Sequence, residues 1–235
     1  MKRRVLKMLG AACLLLAMTF AVGAVQSEQV FAKVNYTKKT IDKTEQFGKV
    51  KAVVKYELIQ LKGSSPEIKK INKALKKDYK KFMKSDSVED LKESAKQASD
   101  HVSEKTSFYY QSSASVMYNK KGIVSVMVSV YWYAGGVSNT VRYGLNYNVK
   151  TGKKLKVNEA CGKSIKKIKE KLCKSIKKEF DSDDTAYAEA VKNIKAKKSG
   201  QFDFYIKKKG TVMVTFEPYE LGYGGWFREY KVGKR

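Results

Sequence analysis

The chain has 235 residues, 49 of them Lys or Arg against 23 Asp or Glu, a formal charge of +26. That length holds one large domain or two small ones, and so large a charge speaks of partners and solubility rather than of fold. With His101 as the single histidine, a His-rich zinc site is excluded and a metal-dependent deacetylase centre has too few ligands.

The first residues, Met1-Lys2-Arg3-Arg4-Val5-Leu6-Lys7, are cationic, and Met8 to Val25 carry no charge. Small residues follow at Val22-Gly23-Ala24 and at Val30-Phe31-Ala32. Together these read as a secretory signal peptide over residues 1–32, cleaved after Ala24 or after Ala32. An uncleaved anchor is the alternative, since an uncharged run of about 18 residues sits at the lower limit for a spanning helix. Cys13 raises a lipoprotein reading, but Gly10 stands where a lipobox calls for Leu. Cleavage removes four basic groups and Glu28, leaving about +23 and no stable transmembrane anchor. Export also changes what the charge means. Outside a bacterial membrane the polyanions are teichoic-type polymers, anionic lipid headgroups and some capsules, so an anionic cell-envelope polymer or glycan is the expected partner and no nucleic acid is. The competing explanation is solvated helix faces, because residues 66–84 alone carry eight Lys.

Residues 33–47 are polar and aperiodic and read as a flexible lead-in. From Lys49 to Leu61, Val50, Ala52, Val54, Tyr56 and Leu58 alternate with other residues, the period of a strand. Gly63-Ser64-Ser65-Pro66 ends it and begins a helix, with Ser at the N-cap and Pro in the first turn. Ile68, Ile71, Leu75, Tyr79 and Phe82 form that helix's apolar stripe. Ser87–Glu104 predicts a weaker helix. Ser107–Asn119 and Gly122–Ala134 flank Lys120-Lys121 as a hairpin. In its second strand Val124, Val126, Val128, Val130 and Trp132 share one face, and Ser125, Met127, Ser129 and Tyr131 the other. A third strand, Val141 to Val149, follows Gly135-Gly136. Ile165, Ile168, Leu172, Ile176 and Phe180 mark a helix, Asp181–Lys198 another, and Gln201–Lys207, Thr211–Phe216 and Trp226–Val232 three closing strands. The fold class is α+β: antiparallel sheets with helices packed on one side, in two sequential lobes over residues 48–150 and 151–235.

After cleavage Cys161 and Cys173 remain, and a secreted pair invites a disulfide. Cys173 lies within a predicted helix and Cys161 just before it. Twelve residues at about 1.5 Å rise put them roughly 18 Å apart, beyond the ~4.4–6.8 Å between Cα atoms that a disulfide spans. Two buried free thiols are expected.

In order, Gly135-Gly136, Tyr147-Asn148-Val149-Lys150-Thr151-Gly152-Lys153-Lys154-Leu155, a lysine-rich helix, Phe202-Asp203-Phe204-Tyr205-Ile206 and Phe216-Glu217-Pro218-Tyr219-Glu220-Leu221 resemble one family. It is the extracytoplasmic domain of RsiV-type anti-sigma factors, found also beside the catalytic domain of PdaC-type peptidoglycan deacetylases. Val54–Leu61 followed by Pro66-Glu67-Ile68-Lys69-Lys70-Ile71-Asn72 is similar to the family's N-terminal part. The resemblance covers residues 48–233 and implies an extracytoplasmic α+β module. It also implies a protein ligand as an alternative partner, since some relatives sense lysozyme. A domain near +23 would repel a cationic lysozyme at long range. Relatives commonly carry a His after the Gly pair, where this chain has Val137-Ser138-Asn139-Thr140.

The catalytic inventory is thin. No Gly-x-Ser-x-Gly elbow accompanies His101. Asp181-Ser182-Asp183-Asp184 lacks the Gly of a calcium loop and has Lys192 where the bidentate Glu belongs. Neither cofactor nor metal is expected. Glu217 and Glu220 would suit a glycan hydrolase if they flanked a cleft; a strand end and turn, punctuated by Pro218 and Gly222 to Gly225, explain them better. The candidate binding residues are Tyr131, Tyr133, Gly135, Gly136, Tyr219, Glu220, Tyr223 and Trp226, aromatics beside glycine turns that would stack on sugars while lysines meet anionic groups. Their alternative fate is the core. The sequence thus points to a secreted, non-enzymatic module that is cell-wall associated or extracellular.

Overall fold

The computed structural model describes residues 33–179, 184–222 and 224–235. The signal peptide with Cys13, Phe180 and the Asp181-Ser182-Asp183 run, and Tyr223 lie outside the described residues. From Lys33 onward these residues belong to one compact unit, and the architecture is α+β.

The first strand, β1 (Tyr36–Phe47), pairs antiparallel with β2 (Val50–Leu61) along its whole length, from Tyr36↔Leu61 to Phe47↔Val50. The lead-in expected over residues 33–47 is therefore largely an edge strand. Both of its faces are polar and almost wholly exposed, so it has no apolar alternation to betray it. Its order comes from the β2 ladder and from cross-strand pairs such as Lys38 with Glu57 at 2.8 Å and Lys55 with Asp42 at 3.3 Å. Charged residues on an edge also discourage further pairing.

Two helices, α1 (Pro66–Met83) and α2 (Asp86–Ala98), then carry the chain back across one sheet face. Ser65 caps α1, its hydroxyl accepting from the Ile68 N–H at 3.3 Å. Ile68, Ile71, Leu75 and Phe82 enter the core against Val54, Tyr56 and Leu61. Polar pins complete the docking. The Asn72 side chain bonds both the N–H and the C=O of Leu61 at 2.9 Å, and the Tyr56 and Tyr143 hydroxyls donate to the Asp78 carboxylate at 2.7 and 2.8 Å. Burial, then the Asp78 charge, push both phenols well above their ordinary range, so they remain donors.

Because the helices return the chain to the end where β2 began, β3 (Thr106–Lys120) runs parallel to β2, Val50↔Thr106 through Lys55↔Gln111. The large sheet is thus mixed rather than wholly antiparallel; a crossover of two helices is what a parallel pair requires. β4 (Ile123–Ala134), β5 (Val137–Asn148) and the two-residue β6 (Lys153–Lys154) follow in sequence order as antiparallel neighbours. The alternation read in β4 holds: Val124, Val126, Val128 and Val130 join the helix-covered core.

The remainder is α3 (Val157–Cys161), α4 (Ile165–Ile176), α5 (Asp184–Ala196) and a second sheet, β7 (Asp203–Ile206), β8 (Thr211–Phe216) and β9 (Arg228–Lys234), in that spatial order. β9 starts later than expected, because Trp226 and Phe227 belong to the loop before it. Ile168, Leu172 and Ile176 on α4 pack with Ile194, Ile206, Val214 and Val232 in a second hydrophobic cluster. Cys161 is buried and Cys173 half-buried, both as free thiols; burial raises Cys161 to about 11.

The second sheet lies against the face of β4 and β5 turned away from α1 and α2. There the Ser125 hydroxyl accepts from the Ile206 N–H at 2.9 Å, and the Asn146 amide donates to the Phe204 carbonyl at 2.5 Å. Gly144 completes this seam, since a Cβ there would collide with the Phe204 carbonyl.

Candidate functional site

Beyond the seam, the same face of the large sheet continues without β7 over it. Cross-strand pairing sets out its rows: Ser129↔Arg142, then Tyr131↔Thr140, then Tyr133↔Ser138, with Gln111 opposite Tyr131 and Tyr109 opposite Tyr133 on β3. Tyr131 keeps an open ring, 37% exposed. Tyr133 is partly buried against the first core, with Phe108 edge-on at 6.2 Å and Tyr109 tilted at 6.3 Å. Core packing accordingly accounts for much of Tyr133, while Tyr131 is available as a surface. Gly135 and Gly136 form the β4–β5 turn with φ of 60° and 99°, conformations that favour glycine. At Gly135 a Cβ would also press on the Phe108 ring at 3.2 Å. Their role is to turn the chain.

The other predicted residues lie in the β8–β9 loop, which Leu221 anchors in the second core. Tyr219 adopts φ of 61°, uncommon for a bulky side chain. Its N–H donates to the Gly224 carbonyl at 3.0 Å, and its ring, 69% exposed, runs along Gly225, which a side chain at that position would block. The Glu220 carboxylate accepts from the Glu217 N–H at 2.7 Å and pairs with Lys197 at 2.5 Å. Desolvation, then Glu220 and Asp203, raise the Glu217 carboxyl above its ordinary range. Desolvation also raises Asp203, against the pull of Lys154.

Trp226, 63% exposed, stacks with the Arg228 guanidinium 4.7 Å from its ring centre. Arg228 is itself only 6% exposed, its Nε donating to Glu179 at 3.1 Å, and the Tyr230 hydroxyl donates to the same carboxylate at 2.6 Å. Phe227 instead turns to the large sheet, where the Arg142 guanidinium lies 4.6 Å from its ring centre. Arg142 Nη1 reaches Glu229 at 3.5 Å, and Glu229 also accepts from the Tyr205 hydroxyl at 2.9 Å and from Lys207 at 3.5 Å. Arg142 Nε is buried with no hydrogen-bond partner among the described residues. On the strand ladder Arg142 is the diagonal neighbour of Tyr131, a step of about 7–8 Å.

The structure therefore divides the predicted set. Tyr131, Tyr133, Gly135 and Gly136 stand on one hairpin; Tyr219, Glu220 and Trp226 stand on one loop. The loop residue that reaches the hairpin's sheet is Phe227, through Arg142, and neither was singled out from sequence. A signal existed. Only two of the chain's five arginines, Arg142 and Arg228, lie away from its ends in a sequence that otherwise uses Lys, and both stack on aromatic rings. A planar guanidinium stacks in a way that an ammonium does not.

An α+β module of two stacked sheets, with an aromatic and arginine-bearing edge between a hairpin and a loop, is the class these features define. Residues 47–140, a stretch that includes Tyr131 to Gly136, match the family model described as Deacetylase PdaC. A crystal structure of a DUF3298 family member from Bacteroides fragilis is similar over 87% of this chain and 92% of its own, with 12% identity and a TM-score of 0.54. A DUF3298 family protein from Pseudomonas aeruginosa is similar over 86% and 91%, with 13% identity and a TM-score of 0.51. At those identities the likeness is one of fold. Comparison with curated proteins finds no match. Among the described residues no three His, Cys, Asp or Glu side chains are grouped to hold a metal ion, and no helix is long and apolar enough to cross a membrane.

Proposed function

We propose that this chain is an exported, non-catalytic module that binds anionic polymers of the cell envelope at its aromatic and arginine-bearing edge. The observation that carries the reading is the open Tyr131 ring beside Arg142 on a chain that keeps a charge of about +23 once the four basic groups and Glu28 of residues 1–32 are removed from its +26. Aromatic faces stack on the apolar planes of sugars, while long-range cationic potential draws an anionic chain to the surface. Exposed Tyr219 and Trp226 offer further stacking faces on the neighbouring loop. The leader pattern of residues 1–32 and the extracytoplasmic setting implied by the resemblance support export. Glu220 is already engaged by Lys197 and the Glu217 N–H, which favours binding over a hydrolase built on Glu217 and Glu220.

The direct test is retention of residues 33–235 on purified cell wall before and after its anionic polymers are stripped. Binding that falls on stripping and in about 0.5 M salt supports the proposal. Equal retention on stripped wall or on a neutral resin would refute it, and release of reducing ends from the wall would establish an enzyme instead.

A further inference from the structure

Beside its fully buried stripe, α4 carries a second apolar flank, half-buried at the margin of the second core. Ile168, Leu172 and Ile176 face inward, whereas Ile165 and Cys173, two turns apart, line a groove between α4 and α5 whose other wall is Tyr187 and Val191. The groove has a volume of about 690 Å³, within the range of small-molecule sites. Its ridge from Ile165 to Lys177 runs about 18 Å along the helix. Two cross-helix bonds hold the walls: Lys169 Nζ donates to the Lys195 carbonyl at 2.5 Å, and the Tyr187 hydroxyl to the Cys173 carbonyl at 3.5 Å. The rim is strongly biased in charge. Five lysines, among them Lys174 and Lys177, surround the apolar floor against one acid, Glu170.

An apolar slot with a cationic rim fits a ligand that is apolar along its length and anionic at one end. We propose that the groove seats the alkyl chain of a single-chain anionic amphiphile, with the rim lysines meeting its headgroup. A polysaccharide has no comparable apolar segment, and a cationic amphiphile of equal length would meet repulsion at the rim. The site is separate from the Tyr131 edge, so it stands or falls independently of polymer binding. Each methylene seated should tighten binding about threefold to fourfold, which makes chain length a sensitive probe.

Cys173 serves as a reporter within the groove, and buried Cys161, packed against Gly233, as an internal reference. The rate of maleimide addition to each thiol is followed by mass spectrometry in residues 33–235, with octanoate, dodecanoate or dodecyltrimethylammonium below micellar concentrations. The expected result is at least tenfold slowing at Cys173 by dodecanoate, with Cys161 unchanged and octanoate weaker by up to about two orders of magnitude in affinity. The Lys174→Glu, Lys177→Glu double variant should lose dodecanoate affinity at least tenfold. No slowing with dodecanoate, or equal slowing with the cationic amphiphile, would overturn the proposal; the wild-type comparison alone suffices if the double variant misfolds.

Discussion

Replacing Gly144 with alanine would place a methyl group 2.5 Å from the Phe204 carbonyl carbon and closer still to its oxygen. Ordinary contact begins near 3.4 Å, so β7 would have to retreat by about 1 Å or more. That retreat breaks the Asn146–Phe204 and Ser125–Ile206 hydrogen bonds, which have lengths of 2.5 and 2.9 Å. Two buried bonds lost with their partners unsatisfied cost about 1–2 kcal/mol each, and strain from an extra core methyl adds about 1–3 kcal/mol. Gly144→Ala should therefore destabilise residues 33–235 by about 4 kcal/mol, a fall in Tm of roughly 8–16 °C for a domain of this size. Urea and thermal unfolding followed by circular dichroism measure it. A variant within about 1 kcal/mol of wild type would refute the docking of the second sheet on β4 and β5.

Asp78→Ala removes the acceptor shared by the buried Tyr56 phenol and the half-buried Tyr143 phenol and should cost about 2–4 kcal/mol, measured by urea unfolding; Tyr56→Phe, which leaves Tyr143 paired, should cost less. Glu217 has a raised carboxyl pKa, so its favourable contribution is full below the unfolded carboxylate range and is lost as pH rises through the folded value. Glu217→Gln should thus be slightly stabilising at pH 7, by about 0.5 kcal/mol or less for so exposed a group, and neutral below about pH 4. Paired melting curves across pH decide the sign. Tyr131→Ala should weaken retention on native cell wall severalfold while leaving Tm within about 2 °C, as expected for a ring that contributes a surface rather than core.

The helices were legible because their apolar residues recur at helical spacing: Ile68, Ile71 and Leu75 face the core as their order implies, and Ile168, Leu172 and Ile176 do the same. Strict alternation likewise disclosed the two faces of β4. β1 was illegible because Thr37, Lys38, Lys39 and Thr40 show no apolar face; only pairing with β2 makes them a strand. The parallel β2–β3 pair depends on where two helices deliver the chain, which local periodicity does not encode. At the candidate site, Trp226 and Tyr131 share one sequence feature, an aromatic ring beside a glycine turn. Side chains alternate approaching β9, so Trp226 lies with Arg228 and Phe227 turns to Arg142. Arg142 lies in a half-polar strand, and its importance appears only once Phe227 and Glu229 are brought beside it from the other end of the chain.

The central claim is most directly tested by titrating residues 33–235 with a purified poly(glycerol phosphate) at about 50 mM and about 500 mM salt, alongside neutral dextran. Across that range screening shortens several-fold. The account expects affinity for the anionic polymer to fall at least tenfold at the higher salt, to drop further in Arg142→Ala, and to exceed that for dextran throughout. Binding that ignores salt, or that is equal for the charged and neutral polymers, would contradict it.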